Sequence, residues 1–256
     1  MAFFKSGLNV IIWKSQMNLR FFKILTIIFS APFVFSCSLE YIDPITEIEF
    51  VKINSGCFEM GSNTHETCIE NDFYLGKYEV TQKQWLKVIG RNYSSYKSKY
   101  HPVENVTIDQ VLEFIRRLNH SSGKHYRLPT DAEWEYACLS GGNKQKFCGS
   151  NNYTDVSWGV DENNFYVHHR VGGKMPNDYG LYDMTGNVSE FTCSVVNSMK
   201  KSSQGICNTI SSVFTVRGGS WNEKKYPPLS TETESVLMKR SHYRSDTTGF
   251  RLLLEL

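Results

Sequence analysis

The residues with the most evident chemistry in this chain are its seven cysteines. Those after Cys37 form three close pairs separated by long gaps, namely Cys57 with Cys68, Cys138 with Cys148, and Cys193 with Cys207. None of these pairs has the C-x-x-C spacing of a redox centre or a zinc knuckle. In an exported chain, pairing between nearest neighbours would close short disulfide loops that each stabilise the fold by about 3 kcal/mol. We therefore predict structural disulfides, although other connectivities remain open.

A second group of residues supplies hard oxygen ligands. Asp183 and Glu190 flank Gly186-Asn-Val188 in a turn-rich stretch, which offers two carboxylates and exposed backbone carbonyls. Calcium prefers ligands of this kind. The same residues could instead build a hydrogen-bonded Asx-type turn, so the pattern leaves both interpretations open.

The histidines give weaker signals. His168 and His169 are adjacent, and their side chains would point to opposite sides of an extended segment. We therefore expect surface or capping residues here, and not a pair of metal ligands. His242 lies near Asp246, and a histidine beside a carboxylate can act as a general base. No interpretable Ser/His/Asp spacing accompanies it.

The charge balance excludes a protein that binds nucleic acid through bulk charge. The chain has 28 Lys and Arg against 26 Asp and Glu, a formal net charge of +2. Residues 1–36 hold four of the basic residues and no acidic one, so 24 basic and 26 acidic residues leave a charge of −2 on the remainder. Aromatic residues make up 14% and charged residues 21%, which is typical of a folded chain and not of a disordered one.

Residues 1–36 have the features of a signal peptide. Two basic residues, Arg20 and Lys23, precede the apolar run 24–35, which contains a proline and is too short to span a bilayer. Met17 begins a conventional basic n-region and is an alternative start of the chain.

The end of this leader predicts how the protein is anchored. Val34-Phe35-Ser36-Cys37 resembles a bacterial lipobox, in which signal cleavage leaves Cys37 as a lipidated N-terminus. A plain secretory signal cut near Ser36 is the alternative. We expect an exported, membrane-anchored bacterial lipoprotein, periplasmic or at the cell surface. In this interpretation 37–46 is a tether and 47–256 a single folded domain.

Three helices are predicted by one start signal. A Thr stands three residues before Gln or Glu in a reciprocal capping box, in Thr81-Gln-Lys-Gln84, Thr107-Ile-Asp-Gln110 and Thr130-Asp-Ala-Glu133. Apolar residues follow each box at helical spacing, so these helices are expected to pack on the core.

Short strands are predicted on both sides of the helices, at 48–53, 73–80, 213–216 and 249–254. Charged residues are embedded among apolar ones, namely Arg127, Glu133, Glu135, Arg217 and Arg251. Buried charges must be paired and hydrogen-bonded, so we predict internal ion pairs that tie the third helix to the last strands.

A series of motifs runs along the chain from Gly56 to Arg251. They are Gly56-Cys-Phe-Glu-Met-Gly61, Lys77-Tyr-Glu-Val-Thr81, His101-Pro-Val-Glu-Asn-Val-Thr107, Tyr126-Arg-Leu-Pro-Thr-Asp-Ala-Glu-Trp-Glu-Tyr-Ala137, Gly180-Leu-Tyr-Asp-Met-Thr-Gly-Asn-Val-Ser-Glu-Phe191, Val216-Arg-Gly-Gly-Ser-Trp221 and Gly249-Phe-Arg251. In this order they resemble the formylglycine-generating enzyme family, also called the sulfatase-modifying factor family. The resemblance implies an α+β variant of the C-type-lectin fold with little regular secondary structure, short antiparallel strands and about three helices.

The resemblance also implies a calcium site. Position by position, its ligands would be the side chains of Asp183 and Glu190 and the carbonyls of Gly186 and Val188.

Catalysis is where the chain departs from the family. The active enzymes bind copper through two cysteines shortly before the terminal GFR segment, because a soft thiolate selects Cu(I) and exchanges with the substrate thiol. The corresponding stretch from Ser220 to Gly249 contains no cysteine. We therefore expect neither copper nor formylglycine-generating oxidase activity.

Two classes of function remain. The first is a non-catalytic, lipid-anchored ligand-binding or scaffold module, similar to family lipoproteins of gliding-motility and secretion machinery, with an envelope protein or glycan as its partner. The second is an oxidoreductase that acts on protein or small-molecule thiols through a non-standard metal centre.

The first class requires a contact surface. Irregular C-terminal loops carry aromatic and cationic residues of the kind that interfaces favour, namely Trp221, Tyr226, His242, Tyr243 and Arg244. The alternative is that these residues pack the loops against the core.

Overall fold

The computed structural model describes residues 40–62, 65–158, 167–194, 213–222, 233–234 and 243–256. All of them belong to the unit Ser38–Leu256, whereas the separate unit Met1–Cys37 lies outside the described residues. The signal peptide and the lipidation of Cys37 therefore stay predictions. Among the helices of the described ranges, none combines the length and the apolar character needed to cross a bilayer.

Short strands and four helices make up the described part of the chain. In chain order they are β1 (Glu40–Ile42), β2 (Glu49–Ile53), β3 (Gly56–Met60), β4 (His65–Ile69), β5 (Phe73–Gly76), α1 (Gln82–Ile89), α2 (Ile108–Ser122), β6 (Tyr126–Arg127), α3 (Asp131–Cys138), α4 (Tyr153–Val156), β7 (Ser189–Ser194), β8 (Val213–Arg217), β9 (Thr233–Glu234), β10 (Thr248–Gly249) and β11 (Leu253–Glu255). The predicted α+β class with short, mainly antiparallel strands is confirmed.

Three sheets organise these strands. The largest has the order β1-β2-β5-β11-β6, with every neighbouring pair antiparallel. A second sheet has the order β10-β7-β8-β9, in which β10 and β7 run parallel and the other pairs antiparallel. Strands β3 and β4 form a separate hairpin.

The three predicted helices begin where the capping boxes placed them. In α1 the side chain of Thr81 accepts a hydrogen bond from the backbone of Gln84, whose side chain accepts one from the Thr81 backbone in return. The same reciprocal pair starts α2 at Thr107 and α3 at Thr130. The single turn α4 was not predicted, and its N-cap residue Asn152 makes no side-chain capping hydrogen bond that would indicate a helix start.

Two predicted strands differ from the structure. The strand predicted at 73–80 ends at Gly76, after which Lys77 donates its amide hydrogen bond to Glu49 and the chain leaves the sheet. The strand predicted at 249–254 is split, because β10 pairs with β7 in one sheet and β11 pairs with β5 and β6 in the other. The link 250–252 therefore crosses between the two sheets and carries Arg251 with it.

Aromatic packing forms the centre of the core. The ring of Trp85 on α1 stacks on Phe114 of α2, with centroids 5.3 Å apart, and Phe250 meets both rings edge-on. A second buried cluster surrounds Trp134 of α3 and includes Leu75 and Met184. The helices thus present their apolar faces to the sheets, as their spacing predicted.

The disulfide prediction is confirmed for the cysteines whose partners are described. Cys57 bonds Cys68 across the β3–β4 hairpin, and Cys138 at the end of α3 bonds Cys148. Cys193 is also disulfide-bonded. Its predicted partner Cys207 lies outside the described residues.

Candidate functional site

Four charged side chains lie buried together at the predicted calcium stretch, and two of them belong to it. Glu190 and Arg251 are 0% exposed, Glu79 is 1% exposed and Asp183 is 2% exposed. Three carboxylates thus surround one guanidinium, and a buried excess of negative charge is costly unless a proton or a cation balances it.

Arg251 and Glu190 form the centre of this cluster. The Arg251 guanidinium makes a bidentate pair with Glu190, through Nε to Oε2 at 2.7 Å and Nη2 to Oε1 at 2.6 Å. It also donates to the carbonyls of Gly76 and Tyr182, both at 2.8 Å. The indole Nε1 of Trp134 donates to Glu190 Oε2 at 2.7 Å. This pair therefore joins the two sheets to α3, as predicted for the buried charges.

Glu79 holds the turn that contains the predicted ligands. Its carboxylate accepts from the side-chain amide of Asn187 at 2.7 Å and from the backbone of Val188 at 3.0 Å. Burial, followed by the charges of Asp183 and Glu190, raises the pKa of Glu79 well above its usual range. A neutral Glu79 would remove part of the excess negative charge.

The turn itself is tightly constrained. Asp183, Gly186 and Asn187 all have left-handed backbones, with φ of 55°, 79° and 57°. A Cβ atom at Gly186 would meet Ser157 Oγ at 2.0 Å. Only glycine fits that position, so the geometry of the 183–187 turn is fixed by its sequence.

Asp183 is the residue of this turn that fits a cation best. Its Oδ2 accepts from the Gly172 amide at 2.6 Å, whereas its buried Oδ1 has no hydrogen-bond partner within the described ranges. Burial raises the pKa of Asp183 to about 6. Glu190 is less available, because both of its oxygens already accept from Arg251. Across the described ranges, this cluster included, no group of three or more His, Cys, Asp or Glu side chains is arranged for a metal.

The remaining predicted ion pairs are confirmed. Arg217 Nη2 lies 2.7 Å from Glu135 Oε2, and both side chains are about 1% exposed. Arg127 makes a bidentate contact with Glu133, at 2.7 Å for both bonds, and also pairs with Glu255. Because α3 supplies Glu133 and Glu135, these pairs fix the helix against β6 and β8.

The predicted C-terminal contact surface is only partly exposed. Trp221 is 5% exposed and donates from Nε1 to the carbonyl of Asp246 at 3.2 Å, so its indole packs against the protein and is not a contact surface. Tyr243 is half-buried against the core, while Arg244 is exposed. Tyr226 and His242 lie outside the described residues.

Arg244 belongs to a surface that was not predicted from the sequence. Its guanidinium lies over the ring of Tyr93 at 5.3 Å, and Arg91 lies over the same ring at 5.2 Å. Tyr93 belongs to the 91–101 loop between α1 and α2, which also exposes Tyr96 and Tyr100. The acid-free, tyrosine-rich sequence of this loop was the available signal.

A pair of histidines, His101 at the end of this loop and His168, lies close by, with His101 half-buried and His168 buried. Nδ1 of His101 is 3.0 Å from Nδ1 of His168, and Nε2 of His168 is 3.5 Å from Glu104. His168 is 0% exposed, so the expectation of a surface or capping residue is wrong for it. Burial, followed by His168 and His169, lowers the pKa of His101 to about 4. His168 and His169 were predicted to point to opposite sides, and they do, since His169 stacks on Trp158 instead.

Sequence comparison relates this chain to one family. Residues 43–256 match the sulfatase-modifying factor enzyme 1-like domain. The chaperone protein LppX of Paenibacillus barcinonensis is 31% identical, with 56% of this chain and 70% of that protein covered. The formylglycine-generating enzyme of Mus musculus is 33% identical, with 42% of this chain and 33% of that enzyme covered. The match thus spans a third of the mouse enzyme's length.

Solved structures share the fold. Treponema denticola variable protein 1 superposes with a TM-score of 0.70 at 22% identity, over 85% of this chain and 99% of that one. PvdO from Pseudomonas aeruginosa gives a TM-score of 0.70 at 21% identity, over 85% of this chain and 98% of its own. At such identities the likeness concerns the fold alone.

Proposed function

The chain belongs to the sulfatase-modifying factor family, and on that premise we propose that it is an exported, lipid-anchored binding or scaffold module and not an oxidase. Its partner is an envelope protein or glycan, and its anchor is a lipid on Cys37. The observation that carries the proposal is the state of the cysteines.

The cysteines supply no thiolate pair for copper in the described part of the chain. Cys57, Cys68, Cys138, Cys148 and Cys193 are all disulfide-bonded. No cysteine occurs between Trp221 and Gly249, where the family chemistry would need two. Because Cu(I) selection and thiol exchange both require free thiolates, these facts favour binding over oxidation.

The comparisons support the same direction. The relative from Paenibacillus barcinonensis is named a chaperone, and a chaperone acts by binding another protein. Arg244, the exposed arginine of the predicted contact surface, lies over the ring of Tyr93 in the 91–101 loop. A fold that presents such residues on loops suits a binding module.

Site-specific cross-linking tests the binding role in the full-length chain. A photoreactive side chain at position 244 is expected to trap one envelope component at near-equimolar yield, because Arg244 lies on the proposed contact surface. The matched control places the same group at Lys144, an exposed cation paired with Glu59. Equal cross-linking at the two positions would contradict the proposal.

We also propose that calcium stabilises the 183–187 turn. Asp183 Oδ1 and the carbonyls of Gly186 and Val188 would hold the ion, with Glu190 contributing only lone pairs that Arg251 and Trp134 leave free. A divalent cation there would balance the buried excess of carboxylates.

Asp183→Asn is the variant that tests this site. It is expected to weaken calcium binding at least about tenfold in calorimetric titration, because it removes the only ligand with an unpartnered buried carboxylate oxygen in the described cluster. The control Asp178→Asn changes an exposed carboxylate close in sequence and should leave the titration unchanged. If the unmodified protein gives no binding heat at about millimolar calcium, the site does not exist.

A further inference from the structure

Positive charge is concentrated in one segment of the domain. Between Glu79 and Glu104 the chain carries five basic residues and no acidic one, namely Lys83, Lys87, Arg91, Lys97 and Lys99. Residues 37–256 have a net charge of −2, since 24 basic residues face 26 acidic ones. The segment is therefore a local basic region on a slightly acidic domain.

Some of these cations are already satisfied. Lys83 and Lys87 both pair with Glu47, at 2.6 and 3.1 Å. Lys97 donates to the backbone carbonyls of Asn92 and Ser94. These three side chains therefore already have partners within the protein.

Four other cations are exposed and have no carboxylate within ion-pair distance in the described ranges. Each of them lies over a tyrosine ring. Arg91 and Arg244 lie over Tyr93 at 5.2 and 5.3 Å, and Lys99 and Arg170 lie over Tyr100 at 4.5 and 4.7 Å. Cation–π contact at these distances restricts where each charge can move. We call these six residues the tyrosine–cation surface.

The surrounding loop packs on buried residues. Tyr96, between the two tyrosines, meets the buried ring of His168 edge-on at 5.6 Å and Trp221 at 6.4 Å. Its backbone donates to the buried carboxylate of Glu104 at 3.1 Å. The hydrogen bond and then the charge of Lys99, followed by the charges of Lys83 and Arg170, lower the pKa of the Tyr100 hydroxyl.

We propose that the tyrosine–cation surface binds an acidic polypeptide segment. This inference rests on the proposed binding function and names the chemistry of its partner. Guanidinium groups offer planar pairs of donors that match carboxylates, and tyrosine supplies contact area at low conformational cost. The three arginines come from separate segments of the chain, so their positions are set by the fold.

A polypeptide whose carboxylates are recognised individually fits these features better than an anionic lipid surface does. Attraction to lipid depends on the number of basic residues near the membrane and works equally well with mobile lysines. Here the unpaired cations are few, mostly arginine, and held on aromatic rings. Such an arrangement favours recognition of individual carboxylates.

Fluorescence anisotropy with a labelled oligoglutamate peptide tests the inference on the purified mature protein. We expect oligoglutamate to bind more tightly than oligoglutamine, and the difference to shrink as salt is raised. Replacing Arg91, Lys99, Arg170 and Arg244 by Gln should weaken binding at least about tenfold, because each exposed charge steers or holds a carboxylate. All four side chains are exposed, so the variant should fold.

A control variant removes four surface charges elsewhere, at Arg116, Arg117, Lys144 and Lys146. It should bind oligoglutamate within about twofold of the unmodified protein. Equal loss in both variants, or equal binding of the two peptides, would overturn the inference. Binding to phosphatidylserine vesicles without binding to oligoglutamate would also overturn it. If cross-linking at position 244 succeeds while oligoglutamate does not bind, the binding function stands and only the acidic partner is refuted.

Discussion

Arg251→Met is expected to lower the free energy of unfolding by about 3–5 kcal/mol, measured by urea denaturation. The substitution leaves Glu190 buried without its bidentate partner, in a cluster that also holds Glu79 and Asp183. It also removes the donors to the carbonyls of Gly76 and Tyr182. An uncompensated buried charge is one of the few single changes with an effect of this size.

The matched control is Arg116→Met. Arg116 pairs with Glu113 on the exposed side of α2, so its loss should cost less than about 1 kcal/mol. If Arg251→Met does not fold, Arg251→Lys keeps the charge and should give a smaller, measurable loss. A loss below about 1 kcal/mol for Arg251→Met would show that this pair does not hold the two sheets together.

Replacing Cys138 and Cys148 together by Ala is expected to cost about 4 kcal/mol. The two residues are 10 positions apart, and closing a loop of that length restricts the unfolded chain by about 3 kcal/mol. Both cysteines are buried, so lost packing adds about 1 kcal/mol. The disulfide also sits beside the 183–187 turn, because the Cys148 backbone donates to Thr185 at 3.0 Å.

The other described disulfide provides the comparison. Cys57 and Cys68 are 11 positions apart but exposed in a hairpin, so their replacement should lose only the chain-entropy contribution of about 3 kcal/mol. Urea denaturation of both double variants under non-reducing conditions measures the difference. If the variant at Cys138 and Cys148 is the more stable of the two, burial does not add to the effect.

The features that sequence predicted are those with local causes. Each capping box joins residues three positions apart, so Thr81, Thr107 and Thr130 mark their helices without tertiary information. The described disulfides join near neighbours in sequence. Buried ion pairs were predictable as a class, because a charge among apolar residues must be paired.

The features that sequence missed depend on distant contacts. His101 and His168 meet across 67 positions, and no spacing rule connects them. The strand at 249–254 was predicted as continuous because its apolar run gives no sign that two sheets share it. For Trp221 the sequence left a contact surface and core packing both open, and the structure buries its indole, which donates to the carbonyl of Asp246.

The tyrosine–cation surface was predictable from the sequence only in part. The basic, acid-free segment was readable as a charge pattern, but the arginines that complete it come from positions 170 and 244. Only the folded chain brings Arg244 over Tyr93. The site is therefore a product of the loop sequence and of the tertiary structure together.

We propose that this family member binds a partner and does not oxidise thiols. The most direct test is to load the purified mature domain with copper, remove excess metal, and measure bound copper and the conversion of a cysteine-containing peptide to formylglycine by mass spectrometry. We predict less than stoichiometric copper and no formylglycine, because no cysteine lies between Trp221 and Gly249, where the family enzymes bind copper through two cysteines. Equimolar copper together with formylglycine formation would show that the chain is an oxidase.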